Sequence, residues 1–397
     1  MATEGGPDSV TEITERSWLQ RVGQSFAGVL FGFALIAVAC VLLFWNEGRA
    51  VTTARSLAEG AGLVHTVAAD RIDPANEGKL IHVTGMLTAA GPALDTEFGM
   101  RSNGVRLIRR VEMFQWTEEQ ESETQKKLGG GETTKTTYRY AKSWADHPID
   151  SAKFKERSGH TNPQMTYRDR FAVAPQPRLG AFAVPADLLR NFGAEERLAV
   201  ADEQLQVIGK RLNKPVQAVD GVLYVSQDPA QPAVGDLRIT FADVRLQPAS
   251  IVAAQAGSGL GPYRTQAGGN VELIAAGQVS AASMFKEAQD ENRLITWLLR
   301  AGGVLAMFIG FNLIMGPIGT IADVIPFLGD VVRIGTGLMA FLCTVSLAPI
   351  VIAIAWFYYR PLVAVAVLAV GAAVVYGIVH WSRGRAAAQP KAAPVSR

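Results

Sequence analysis

A chain of 397 residues with 38 Lys+Arg against 36 Asp+Glu is nearly neutral, which argues against a nucleic-acid binder needing a broad basic surface. The charge is unevenly spread: 29 basic and 30 acidic side chains fall within 46–296, whereas 297–397 holds two acids, Asp323 and Asp330. A soluble protein does not segregate charge in this way, so the composition excludes a string of globular domains and points to an α+β membrane protein with a large water-soluble insertion.

In chain order, residues 1–24 read as a cytoplasmic N-terminal segment. Ser25–Trp45 follows with 21 uncharged residues, about 30 Å of helix and enough to cross a bilayer core. It is too long for the apolar region of an ordinary cleaved signal peptide, and no A-x-A site follows it, so it reads as an uncleaved anchor, transmembrane helix 1. Residues 46–296 form a β-rich extracytoplasmic domain. Strands are predicted at Lys79–Leu87, Arg106–Trp116, Lys135–Trp144, Arg170–Ala174, Leu205–Ile208, Val222–Val225, Asp236–Leu246 and Ser250–Ala254, where β-branched and aromatic residues alternate or cluster. The polar segment Glu118–Thr134 contains Gly129-Gly130-Gly131 and suits the tip of a long hairpin. Helical pieces are predicted at Thr52–Ala61, Pro185–Asn191 and Ser280–Arg293, the last leading into the second span. The tripeptide Asn46-Glu47-Gly48 recurs as Asn76-Glu77-Gly78, which raises a duplicated β module.

Three further transmembrane helices follow at 298–322, 334–359 and 361–381. A cytoplasmic interfacial linker, 323–333, separates the first two, and a basic cytoplasmic tail, 382–397, closes the chain. Trp297, Trp356, Tyr358, Tyr359 and Trp381 lie at span ends, where an aromatic belt belongs. The tail carries Arg383, Arg385, Lys391 and Arg397 without an acid, which places it in the cytoplasm; four spans then put the N-terminus on the same side. Arg16 and Arg21, just before the first span, agree with that side. The domain at 46–296 is then extracytoplasmic: in the bacterial periplasm, beyond the inner membrane, or in a lumenal compartment of a eukaryote. Cys40 and Cys343 both fall inside spans, so the domain is not disulfide-stapled and must bury a core unaided.

Signatures of catalysis are missing from the sequence: it has no G-x-S-x-G, no H-E-x-x-H, no P-loop and no cysteine cluster. The reading is therefore a non-enzymatic protein without cofactor, metal or catalytic residue. A carboxylate pair that meets only in three dimensions leaves a cryptic hydrolase open. His82 and His160 read as structural. Asn46, Glu47 and Arg49 stand where the first span leaves the membrane, and Glu47 and Arg49 can pair with each other, with lipid headgroups, or with Arg300 and Arg360 at the same level. They form either an interfacial turn out of the helix or a junction coupling domain to bundle. In the linker, Asp323 and Asp330 are seven residues apart, on one helical face, with Arg333 within reach of Asp330 and Pro326 as a break. They are either solvated interfacial charges or, with Asn312, part of an ion or proton path; Asn312 also suits an interhelical hydrogen bond.

Several blocks resemble the transmembrane protein 43 (LUMA) family: Phe44–Ala50 (FWNEGRA), Ser56–Gly60 (SLAEG), Asn76–His82 (NEGKLIH), Val111–Trp116 (VEMFQW), Gly159–Pro163 (GHTNP), Val234–Phe241 (VGDLRITF), Met307–Leu313 (MFIGFNL) and Phe357–Leu362 (FYYRPL). Their shared order makes the resemblance specific, and the Ala/Gly/Arg-rich usage suggests a bacterial member. The resemblance implies one N-terminal span, a large lumenal domain and a C-terminal bundle. Animal members look like self-associating membrane organisers that bind lamins and emerin. For this chain the implication narrows to a self-associating membrane scaffold, a homo-oligomer contacting membrane lipids and other membrane proteins. An ion-conducting protein and a lipid- or glycan-binding extracytoplasmic domain are the alternatives.

Overall fold

The computed structural model describes residues 8–362 together with 365, 366, 369, 373 and 376. The long helical elements among the described residues are α1 (Trp18–Leu63), α2 (Asp202–Leu212), α3 (Ala281–Ala322) and α4 (Pro326–Tyr359). The chain divides into two compact units. A strand-rich unit holds the residues up to Trp18 and Ala54–Glu291, and a helical unit holds Leu19–Thr53 and the residues from Asn292 onward.

The principal strands are β1 (Ser9–Arg16), β2 (Leu80–Thr88), β3 (Arg106–Lys126), β4 (Glu132–Ala145), β5 (Arg170–Val173), β6 (Val222–Val225), β7 (Leu237–Val244), β8 (Pro248–Ala256) and β9 (Leu273–Ala276). The larger sheet runs β1–β4–β3–β7–β6, with β5 attached to β3. Alternation decides its faces. Leu237, Ile239 and Phe241 of β7 are buried, and Leu107, Val111 and Met113 of β3 join them in one core, covered by Ile208 of α2. In the smaller sheet β8 lies between β2 and β9. Ile251 and Ala253 face a core with Ile81, Val83 and Phe182. Val252, on the opposite face, packs with Leu57, Met284 and Phe285. Both faces of β8 are covered, which is why Ser250–Ala254 reads as an apolar run rather than an alternation.

Three differences from the sequence reading have local causes. Leu205–Ile208 is helical, because Leu205, Ile208 and Leu212 share a face at helical spacing. Asp202 and Glu203 in the first turn and Lys210 and Arg211 in the last suit the helix dipole. Pro185–Asn191 forms successive turns closed by bonds such as Leu188 N–H to Pro185 O (3.2 Å) rather than a helix. The predicted loop 118–134 shrinks to a tip at 127–131, since the polar strands pair from Met113↔Ala145 to Lys126↔Glu132. Threonine pairs such as Thr124–Thr134 (3.0 Å) line that ladder. At the tip Gly129 and Gly130 adopt φ of 90° and 80°, and a Cβ on Gly130 would lie 2.3 Å from the Trp18 ring.

β1 lies in 1–24, outside the predicted domain boundaries, yet it pairs with β4 from Ser9↔Arg139 to Arg16↔Glu132. The repeated tripeptide is not a structural repeat: Asn46–Gly48 is inside α1, whereas Asn76 ends a short 3-10 turn and Gly78 has φ 72°.

α1, α3 and a segment of α4 are long and apolar enough to cross a membrane, and they contain the predicted spans at 25–45, 298–322 and 334–359. The chain is thus an α+β membrane protein. The span at 361–381 and the tail at 382–397 fall largely outside the described residues. α1 does not turn at Asn46 but continues to Leu63. Within the helical unit, α1 and α3 approach closely at glycines: a Cβ on Gly32 would lie 2.6 Å from Gly310 O. Ala39, Leu43, Met307 and Ala348 fill the centre. Phe26, Leu30, Phe31, Ile334 and Phe341 are exposed, as a lipid-facing surface requires. α3 ends at Ala322, and α4 begins at Pro326, whose ring cannot continue the preceding helix.

Candidate functional site

Lipid offers no partner to a polar group, so every charge buried among apolar helices needs one from the protein. The helical unit meets this requirement in two nodes. The first is centred on Glu47, 1% exposed. Its carboxylate accepts hydrogen bonds from Arg300 Nε (2.6 Å) and Nη2 (2.8 Å) of α3 and from Trp356 Nε1 (2.8 Å) of α4. The bidentate fork suits a buried pair. The Arg300 guanidinium also lies over the Trp297 ring at 4.8 Å and the Trp356 ring at 6.0 Å.

Beside Glu47, the two amides and Arg49 complete the α1–α3 contact. Asn46 Nδ2 donates to Thr296 O (3.1 Å), and Arg49 donates to Asn292 Oδ1 (3.0 Å) and Thr296 Oγ1 (3.0 Å). Asn292 Nδ2 returns a bond to Ala50 O (3.1 Å). Gly48 has no room for a side chain, because a Cβ would fall 2.5 Å from the Tyr359 ring. Phe44 packs against Tyr358 and Tyr359 at centroid distances of 5.8 and 5.3 Å. Each residue from Asn46 to Ala50 therefore has its own contact with α3 or α4.

The second node surrounds Asp323, which is 0% exposed. It accepts from Arg21 Nη2 of α1 at 2.6 Å and from Arg333 Nη2 of α4. Arg21 is buried and Arg333 is half-exposed. Arg21 and Glu47 are 26 residues apart on α1, about 39 Å along a helix, with no charge between them. The two nodes thus flank a stretch longer than a hydrocarbon core of about 30 Å.

The structure gathers some of the predicted residues and leaves others apart. Asn46, Glu47, Arg49 and Arg300 meet. Arg360 does not join Glu47; it ends α4, with its N–H bonded to Trp356 O (2.7 Å). Arg333 turns to Asp323, and Asp330 is exposed. Asp323 lies in the turn just after α3 and Asp330 on α4, so the two acids share no helical face. Asn312 Nδ2 donates to Phe308 O (2.9 Å) of its own helix, with no bond across to another helix among the described residues. Arg21, Asn292, Thr296 and Trp356 join the nodes without having been predicted to. In the sequence Arg21 speaks only for orientation and Trp356 only for the aromatic belt; the polar run at Asn292 and Thr296 just before an apolar span is the available signal.

In the strand-rich unit a half-open groove of about 1130 Å³ is lined in part by Glu112, Glu118, Trp144, Asp146, Asp150 and Asp169. These acids are already engaged. Glu112 accepts two bonds from Arg238 (2.7 and 2.8 Å), and Asp169 accepts from Val111 N–H (2.7 Å). Glu118 accepts from Tyr140 Oη (2.7 Å) and Lys155 N–H (2.6 Å). Burial, and then the bond to Glu118, pushes the Tyr140 phenol up to about 12. The His147 bond at 2.7 Å lowers the Asp146 carboxyl below its ordinary range. A general acid needs its carboxyl raised, and Asp146 is lowered instead. His82 bonds Val279 O (2.9 Å), and His160 stacks on Tyr140 at 4.0 Å, so both are packed into the domain. Among the described residues no cluster of three or more His, Cys, Asp or Glu suits a metal ion.

Residues 113–361 match the profile of the family described as Transmembrane protein 43. Mouse transmembrane protein 43 is 34% identical over 373 residues, covering 89% of this chain and 90% of the relative. The human protein is 34% identical over 369 residues, 88% of each. The Drosophila melanogaster homolog is 29% identical over 355 residues, 86% of this chain and 92% of the relative. No solved structure matches. The match spans both units, and the chain belongs to the transmembrane protein 43 family.

Proposed function

We propose that the chain is a non-enzymatic membrane scaffold that self-associates in the bilayer and holds the domain at 46–296 on the extracytoplasmic side. The observation that carries the reading is how the helical unit uses its polar side chains. Glu47, Arg300 and Trp356 tie three helices at one end, and Asp323, Arg21 and Arg333 tie the same three at the other. Groups used as fasteners are unavailable to a moving ion, and Asn312 is bonded to its own helix. Family membership supports the reading, as does open space beside Gly302 and Gly335, where a second copy of the bundle has room to approach. The acid-free basic tail supports the orientation.

Chemical cross-linking in native membranes is expected to trap discrete oligomers, and a strictly monomeric profile in detergents and in nanodiscs overturns self-association. The conducting alternative is tested in liposomes: ion flux above that of empty vesicles, altered by Asp323→Asn or Asp330→Asn, would favour it over the scaffold.

A further inference from the structure

The smaller sheet of the strand-rich unit ends on β9. Its inner edge pairs with β8 from Ala249↔Ala276 to Val252↔Leu273, and no strand pairs with its outer edge among the described residues. In an antiparallel edge strand alternate residues turn N–H and C=O outward. For Leu273–Ala276 the described residues provide no backbone partner other than β8. Edges are commonly blunted by lysine, proline or a bulge. β9 reads Leu-Ile-Ala-Ala and carries neither lysine nor proline.

That edge opens onto a groove of about 710 Å³ between β9, the turns at Asp187–Asn191 and the first turns of α3. The charged lining is Asp187, Glu272, Glu287 and Glu291, with no Lys, Arg or His. Asp187 has Arg190 at 3.3 Å. Glu272, Glu287 and Glu291 have no ion-pair partner among the described residues. Burial, and then the nearby Asp187 charge, raise the Glu272 carboxyl above its ordinary range, the mark of an acid without a counter-charge. Glu287 and Glu291 are one turn apart on α3, about 6 Å. That matches the spacing of about 7 Å between residues i and i+2 of an extended chain.

We propose that this groove is a strand-addition site for an extended cationic segment of a partner protein. The segment pairs its backbone with the outer edge of β9 and sets Lys or Arg at alternate positions against Glu272, Glu287 and Glu291. Main-chain bonds supply the docking, and the acids select the charge.

The test uses the full chain in nanodiscs of neutral lipid and a fluorescein-labelled heptapeptide of alternating lysine and valine, read by anisotropy. Saturable binding is expected. The same peptide N-methylated at alternate amides keeps its charge, loses its ladder and should bind about tenfold more weakly. Glu272→Gln/Glu287→Gln/Glu291→Gln should weaken the parent peptide by a similar factor. If that variant has a lowered Tm, the exposed pair Glu287→Gln/Glu291→Gln carries the comparison. Hydrogen exchange at Leu273–Ala276 should slow when the peptide is added. Absence of saturable binding, equal binding of the N-methylated peptide, or unchanged binding to the Gln variants overturns the proposal. So does concentration-dependent protection of the β9 amides without peptide, which would assign the edge to a second copy of the chain.

Discussion

Glu47 in the helical unit and Arg109 in the strand-rich unit are both buried charges, 1% and 2% exposed, yet they fasten different things. The partners of Glu47 are 253 and 309 residues away, on separate helices. Arg109 donates to Asp95 (2.7 Å) and Glu97, 14 and 12 residues away, and to Arg168 O (3.0 Å). Its guanidinium lies 4.7 Å over the Phe98 ring. The contrast follows from backbone chemistry. A helix satisfies its N–H and C=O groups internally, so only side chains fix one helix against another. In a sheet the backbone already joins neighbours; β3 and β7 pair from Leu237↔Met113 to Val244↔Arg106 without help from the Arg109 guanidinium. Buried charge in the helical unit is therefore what fastens one helix to another, and in the strand-rich unit it reinforces a fold whose strands the backbone already joins.

Breaking the first kind should cost most. Glu47→Gln leaves Arg300 without its anion, and a loss of about 3–5 kcal/mol is expected, the usual scale for stranding one member of a buried pair. Unfolding in detergent followed by tryptophan fluorescence measures it, with Arg300→Gln added to the same chain recovering part of the loss. Arg109→Met should cost less, about 2 kcal/mol. Asp95 keeps the N–H groups of Glu97 (2.9 Å) and Phe98 (3.2 Å), and Glu97 is 44% exposed and free to hydrate. Equal losses for the two variants would remove the distinction.

A smaller effect, about 1 kcal/mol at neutral pH, is expected for Tyr140→Phe, which gives up the bond to Glu118. Its pH dependence is more informative. The phenol is raised from about 10 to about 12 in the fold, so the folded state holds this proton more tightly than the unfolded chain does. The contribution is fully present below about pH 10 and is lost as the pH rises through about 12. Unfolding midpoints between those limits should fall in the parent more steeply than in the Phe variant; parallel curves would show the phenol to be solvated.

Four of the blocks carrying the family resemblance meet in two pairs. FWNEGRA meets FYYRPL where Tyr359 covers Gly48. VEMFQW meets GHTNP where Asn162 accepts from Trp116 N–H (2.7 Å) and donates to Trp116 O (2.9 Å), imitating a strand neighbour. The spans are legible because twenty uncharged residues have few alternatives, and β7 is legible because Leu237–Phe241 alternates apolar and polar residues. Partner choice is not. Nothing in Arg21 points to an aspartate 302 residues later, and Asp330 lies nearer to Arg333 in sequence than Asp323, which takes it. α2 looks like a strand because Val207-Ile208 is β-prone unless the charges at its two ends are weighed with it. β1 is hidden because Glu12, Glu15 and Arg16 obscure the β-branched Val10, Thr11, Ile13 and Thr14.

β1 also gives the smallest stability effect and the sharpest test of what holds the strand-rich unit. Its charges reach Lys155 from Glu12 (2.7 Å) and Lys127 from Glu15 (2.6 Å), both at the surface. Such pairs contribute about 0–1 kcal/mol, so the ladder to β4 must do most of the holding. Thr11 faces Thr137 with hydroxyls 3.3 Å apart. Thr11→Cys/Thr137→Cys, made with Cys40→Ala and Cys343→Ala, should form a disulfide on mild oxidation in membranes. Thr11→Cys/Thr134→Cys, three positions out of register, should not. Formation places both strands on one side of the bilayer and joins residues 9–16 to the domain. Labelling of the two introduced thiols from opposite sides instead returns the N-terminal segment to the cytoplasm and leaves β4 as the edge of the sheet. With the ladder in place Glu12→Gln should change the stability by no more than about 1 kcal/mol, because in this unit charge decorates a backbone connection, whereas in the helical unit it replaces one.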